Sequence, residues 1–193
     1  LGLEAVNGFT SVTPYDRVLW DNVLMYCLPY GRNVYGFTSS DAHSVGRLDD
    51  CFNYYIMPET SMTAMRECLE NGTFFGATHK VVANNIIGPK NDINMSTGKD
   101  LPLPQIGYLK VDGHRISMKV GNTGYVQWIA NGKPLVRNDV NGDGVVTLDL
   151  DEFDTDGMLY VRCEVYNENG MTYSQAITLD RGNEPLEYKP DTG

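Results

Sequence analysis

The feature that most constrains this chain is a change of hydrophobic period near residue 105. Beyond it no stretch is both helical in period and long. Short runs alternate instead: Tyr108 to Val111, Ile116 to Val120, Tyr125 to Ile129, Val145 to Leu150, Met158 to Tyr166 and Thr172 to Leu179. Turn pairs separate them at Asp112-Gly113, Asn131-Gly132, Asp143-Gly144, Asp156-Gly157 and Asn169-Gly170. Asn-Gly and Asp-Gly supply the left-handed backbone that tight hairpins require, so this half predicts an antiparallel, immunoglobulin-like β-sandwich over residues 106–181.

Before the change, strand and helix signals alternate. Leu3 to Val6 reads as a strand ended by Asn7-Gly8. Val18, Leu19, Leu24, Met25 and Leu28 then recur at helical spacing, with Thr13 as N-cap, Pro14 at the first helical position, and Pro29 and Gly31 as the stop. Val34 to Phe37 and Tyr54 to Met57 read as strands. A second helix is capped by Thr60 or Ser61, carries Met62, Ala64, Met65, Cys68 and Leu69, and closes at Asn71-Gly72; the strand Thr73 to Thr78 follows. Repeated strand-helix units favour a parallel sheet with outer helices, so the fold class is α/β followed by all-β. Residues 81–105, rich in Gly, Pro and Asn, read as a linker between a 1–80 unit and the 106–181 unit, and 182–193 as a tail.

The chain has 25 acidic and 15 basic residues, a formal net charge of −10. That argues against a nucleic-acid backbone as partner. No apolar run approaches the roughly 20 residues of a membrane-spanning helix, so no membrane partner is expected. Cys27, Cys51, Cys68 and Cys163 form no C-x-x-C pair, which suits reduced core residues and a cytoplasmic location. The chain opens without an initiator Met on an apparent strand, which suggests the C-terminal fragment of a longer protein.

The chemistry concentrates in Val34-Tyr-Gly-Phe-Thr-Ser-Ser-Asp-Ala-His-Ser44. Val34, Tyr35 and Phe37 suit a buried strand, and Thr38 to Ser40 carry Asp41 and His43 past its carboxyl end, where sites sit in α/β sheets. Carboxylate and neutral imidazole are donors for divalent metals, and one intervening residue lets both turn to one point. The competing reading is an Asx turn, with Asp41 bonding its own backbone and His43 on the surface.

Asp139-Val-Asn-Gly-Asp-Gly-Val-Val-Thr147 matches the first nine positions of a calcium loop, with oxygen donors at Asp139, Asn141 and Asp143 and Gly144 at the sixth position. Leu150 stands where the bidentate carboxylate belongs, and no flanking helices are predicted. A hairpin connection rich in Asn, Asp and Gly accounts for the same residues.

Taken together, Leu3-Glu-Ala-Val-Asn-Gly8, Leu19-Trp-Asp21, the Gly36 to His43 segment with Asp41-Ala-His43, and Glu67-Cys-Leu-Glu-Asn-Gly-Thr-Phe-Phe75 resemble the C-terminal part of bacterial PHP-domain (polymerase and histidinol phosphatase) metal-dependent phosphoesterases. Trp128-Ile-Ala-Asn-Gly132 and Tyr160-Val-Arg162 with the Asn169-Gly170 hairpin are similar to the domain that often follows. The resemblance implies a partial (βα) barrel whose strand ends hold divalent ions (Mn, Fe, Zn or Mg), a phosphorylated small-molecule substrate, and Asp41 and His43 as metal ligands. It also implies that the remaining ligands lie in a missing N-terminal half of the barrel. On that view the chain alone is inactive and its open edge near Leu1 to Val6 favours self-association. His79, after a barrel strand, either lines the metal site behind its ligands or is a surface residue. Asn7 either bonds a ligand or makes the turn, and His114, beside a hairpin, is assigned no site role. The alternative function is a β-sandwich binding module, calcium-dependent through Asp139, Asn141 and Asp143, for a carbohydrate or a protein partner.

Overall fold

A computed structural model of the protein describes residues 2–8, 13–79 and 101–180. The linker core, the tail and the side chain of the expected Thr13 cap lie outside the described residues. The fold is mostly antiparallel β-sheet with two α-helices. No helix among the described residues is long and apolar enough to cross a membrane.

The first unit is a parallel β-α-β. Strand β1 (Gly2–Asn7) pairs with β2 (Tyr35–Ser39), and helix α1 (Thr13–Cys27) runs between them. The helix ends where Pro29 enters a short 3-10 turn and Gly31, at φ 70°, takes the left-handed cap that a side chain would resist. The inner face of α1 buries Trp20 and Leu24 completely, and the Trp20 indole N–H donates to the Val34 carbonyl at 2.8 Å.

Strand β3 (Cys51–Tyr55), helix α2 (Met62–Asn71) and strand β4 (Phe74–Thr78) come next. Ser61 caps α2 by accepting from the Ala64 N–H at 3.1 Å, and Gly72 ends it at φ 65°, as the sequence signals require. Here the parallel expectation fails: β3 and β4 are antiparallel neighbours. The connection through α2 returns the chain to the end it left, and the Ile56 N–H to Thr73 carbonyl bond, 3.0 Å, extends the ladder toward that end.

Strands β5 (Gln105–Asp112), β6 (Arg115–Ala130), β7 (Lys133–Asp149), β8 (Tyr160–Asn167), β9 (Gly170–Tyr173) and β10 (Ile177–Thr178) complete one eight-stranded sheet. Its path is β3-β4-β9-β8-β6-β5, with β7 also on β6 and β10 also on β8. Because β4 pairs with β9, the sheet runs straight across the expected 81–105 division. The Asn131-Gly132 turn has both residues left-handed, at φ 47° and 75°, as a tight hairpin needs. Asp143-Gly144, by contrast, is no hairpin turn. It lies inside β7, opposite irregularities of β6 near Val120 to Tyr125 that bend both long strands.

That bend brings both legs of β6 onto one core, with Ile116, Met118 and Val120 from the first and Val126, Trp128 and Ala130 from the second. The central strand β8 is buried at every position. Val161, Cys163 and Val165 face this core, while Tyr160, Arg162, Glu164 and Tyr166 alternate onto the opposite face, where α1 contributes Arg17, Trp20 and Asp21.

The two sheets meet through side-chain amides. Gln175 Oε1 accepts the Gly36 N–H and its Nε2 donates to the Gly36 carbonyl, both at 2.9 Å. Asn53 does the same for Thr38, at 2.9 and 2.8 Å. The β2 edge that would otherwise need another strand is thus satisfied by Asn53 on β3 and by Gln175 in the segment between β9 and β10.

Candidate functional site

The carboxyl ends of β1, β2 and β4 lie side by side with the start of β3. The Gly8 N–H donates to the Ser39 carbonyl at 2.7 Å, the Cys51 Sγ meets the Thr78 Oγ1 at 3.0 Å, and the His79 N–H donates to the Asp50 carbonyl at 3.0 Å. A Cβ on Gly8 would stand 2.9 Å from the Ser40 carbonyl oxygen, so this close approach of β1 to the end of β2 depends on glycine.

Asp41 follows directly from this junction at φ 45°. A left-handed residue with a side chain costs about 1–2 kcal/mol. Among the described residues the other non-glycine residues in that region are Asn122, Asn131 and Asn141, which sit in a hairpin or in the β6–β7 irregularities. The turn is made by Ser39, whose hydroxyl accepts the Asp41 N–H at 3.3 Å, rather than by the Asp41 carboxylate. His43 Nδ1 lies 2.8 Å from the Asp41 carbonyl oxygen. Since a carbonyl only accepts, Nδ1 carries a proton, so in the neutral ring the ligating nitrogen would be Nε2, with a carbonyl orienting the ring from the other side. The Asp41 carboxylate is 3.9 Å from Nδ1, and both side chains reach solvent.

This pair therefore offers one carboxylate and one imidazole past the end of β2, with Nδ1 rather than Nε2 as the ring nitrogen that faces Asp41, so the two are not brought onto one point as a ready-made ion shell. Among the described residues no three His, Cys, Asp or Glu side chains gather in a way that could hold a metal.

The remaining sequence candidates fall elsewhere or into other tasks. His79 is not a surface residue: it is 3 % exposed, and Nδ1 contacts the Asn169 carbonyl at 2.9 Å, so it ties the end of β4 to the β8–β9 turn. Asn7 is buried and donates to Glu4 at 3.1 Å. His114 is exposed and paired with Asp151 at 2.6 Å. In the calcium-like segment, Asp139 is held by Arg137 at 2.8 Å, and Asp143 accepts the Asn122 N–H at 2.9 Å. Asn141 sits between them at φ 59°. Two of the three candidate donors are thus drawn to different partners along a bent strand.

Sequence reasoning missed the most heavily charged interior feature. Arg162 grips Asp21 with two bonds of 2.7 Å and Glu164 with a third. Arg17 reaches Glu164 at 3.1 Å, Tyr160 donates to Asp21 at 2.6 Å, and Tyr166 donates to Glu164. Two cations and two carboxylates make the cluster neutral. Burial alone would push the Glu164 carboxyl up, but the fields of Arg17 and Arg162, with hydrogen bonds from Tyr166 and Arg162, hold it down at about 2. Burial likewise works against the Arg162 cation, and Glu164 and Asp21 outweigh it and keep it protonated. The four charges pair off and dock α1 onto β8, although Arg17 Nη1 is buried without a hydrogen-bond partner among the described residues.

No protein-family model matches the chain, and no curated protein or solved structure matches it.

Proposed function

We propose that this chain carries one part of a divalent-metal centre for phosphate-ester hydrolysis, at the carboxyl end of a partial PHP-type barrel, with an immunoglobulin-like sandwich behind it. The observation that supports the reading most is the left-handed Asp41 whose carbonyl sets the His43 tautomer, placed just past the carboxyl end of a parallel strand. Strain kept at such a position points to a site rather than to packing.

In this reading Asp41 and His43 supply two ligands of one ion. A divalent ion, when bound, polarises the phosphoryl group and activates water. The substrate is a phosphorylated small molecule, and further ligands come from strands adjoining β1. Two protein donors leave an ion mostly aquated, so the chain by itself turns over little or no substrate.

The test is hydrolysis of p-nitrophenyl phosphate with added manganese, by this chain and by a form extended with the strands that adjoin β1. The expected result is activity in the extended form only, reduced about 100-fold or more by Asp41→Ala or His43→Ala, a loss at or above the 10- to 100-fold typical of supporting residues. Activity in this chain that survives both substitutions overturns the proposal.

A further inference from the structure

Where the strand-helix region meets the large sheet, the structure forms a half-open cavity of about 420 Å³. It lies at the amino ends of β2 and β4, away from Asp41 and His43, and is closed on the far side by β5 and the break between β9 and β10. Tyr35, Phe74, Phe75, Leu109 and Ile177 line it, and Tyr108 stands half-exposed among them. In a chain with 25 acidic and 15 basic residues, no charged side chain among the described residues lines this space.

Most polar groups in the wall are already engaged. Gln175 is bound to Gly36, the Ser174 hydroxyl bridges the Cys163 N–H and the Gln175 carbonyl, the Thr73 hydroxyl donates to the Cys68 carbonyl and the Tyr35 hydroxyl to the Glu70 carbonyl. Asn33 differs: its Oδ1 is buried and accepts no hydrogen bond from the described residues. An unmet buried acceptor costs about 1–3 kcal/mol. This atom lies behind the cavity wall rather than on it, and the amide's soft terminal torsion lets it turn inward, where a donor would meet it.

We propose that this seam cavity binds a neutral aromatic molecule. Its ring lies among Tyr35, Phe75 and Tyr108, and its N–H or O–H donates to the Asn33 side-chain oxygen. The volume falls within the roughly 300–1,000 Å³ of small-molecule sites, which are mostly apolar with a few placed polar groups. The absence of countercharge among the described lining residues sets the ligand class, because an anion held here would lose part of its hydration without compensation.

The experiment titrates the full chain with indole and follows backbone amide resonances. Saturable shifts are expected at Asn33 to Tyr35, Gly72 to Phe75, Tyr108 and Leu109, and Ser174 to Ile177. Indole-3-carboxylate is expected to bind about tenfold more weakly or worse. Asn33→Leu should weaken indole about tenfold and leave 1-methylindole, which lacks the donor, unchanged, which also controls for folding of the variant. Shifts that are absent, scattered or unsaturable at millimolar indole overturn the site. Equal binding of the carboxylate overturns the ligand class.

Discussion

At the residue scale, Glu164 carries a pH signature. Its folded pKa, about 2, lies below the ordinary 4.5, so its stabilisation is fully present above pH 4.5 and is lost as pH falls from there toward 2. The size is on the order of 3 kcal/mol for a fully buried carboxylate with this shift. Urea denaturation of wild type and Glu164→Gln across that window checks it. The variant is expected to be less stable at neutral pH and to lose less on acidification. Identical acid limbs would show that the carboxylate is not held by the two arginines. Little of this was legible in the sequence. Arg17 and Asp21 are four apart on a helix, and Arg162 and Glu164 two apart on a strand, spacings that ordinarily mark solvated faces. Periodicity shows that two residues share a face, and is silent on what covers it. Asp41 and His43 were visible because their donor types and position past a strand carried the information, whereas the Asp41 φ and the His43 tautomer exist only in three dimensions.

At the scale of elements, β2 depends on Asn53 and Gln175. Replacing either by Ala leaves an N–H and a carbonyl of Gly36 or Thr38 without their partner, and each variant is expected to lose about 1–3 kcal/mol. Denaturant melts measure this, and a loss below about 0.5 kcal/mol in both variants would mean that water replaces the amides without cost. Local signals placed most elements well: the Ser61 cap, the Gly72 stop and the Asn131-Gly132 turn each rest on one residue's own conformational preference. Pairing direction was not legible, because strand-helix-strand order implies parallel neighbours only when the chain crosses over, and the β3–α2–β4 connection does not. Asp143-Gly144 misled for a related reason: the residues that open a hairpin also relieve a bend within a long strand.

At the scale of the molecule, the two halves identified by hydrophobic period share a sheet and a buried charge cluster. Residues 101–180 expressed alone are expected to fail to form a stable β domain, since β9 loses β4 and the Arg162–Glu164 face loses α1. Circular dichroism and dye binding decide this, and a cooperative unfolding transition for that fragment would contradict it. The opposite side of the molecule is less finished. Among the described residues β1 has β2 as its one strand partner, and α1 with the 3-10 turn after it exposes Leu19, Tyr26 and Tyr30, between 51 and 73 % accessible. An open edge beside apolar surface favours pairing with another strand. Concentration-dependent association is therefore expected, weakened by Leu3→Lys, with light scattering as the measurement.

The amide bridges have a consequence for how opening of the fold can be watched. The Gly36 and Thr38 N–H groups are neighbours on one strand edge, yet each is protected by a different part of the large sheet, Gln175 beyond the end of β9 and Asn53 on β3. Their hydrogen-exchange rates are therefore two separate clocks. If the sheet frays from its β3 end, Thr38 exchanges first; if the β9–β10 segment detaches, Gly36 leads; equal rates mean that the seam opens as a unit.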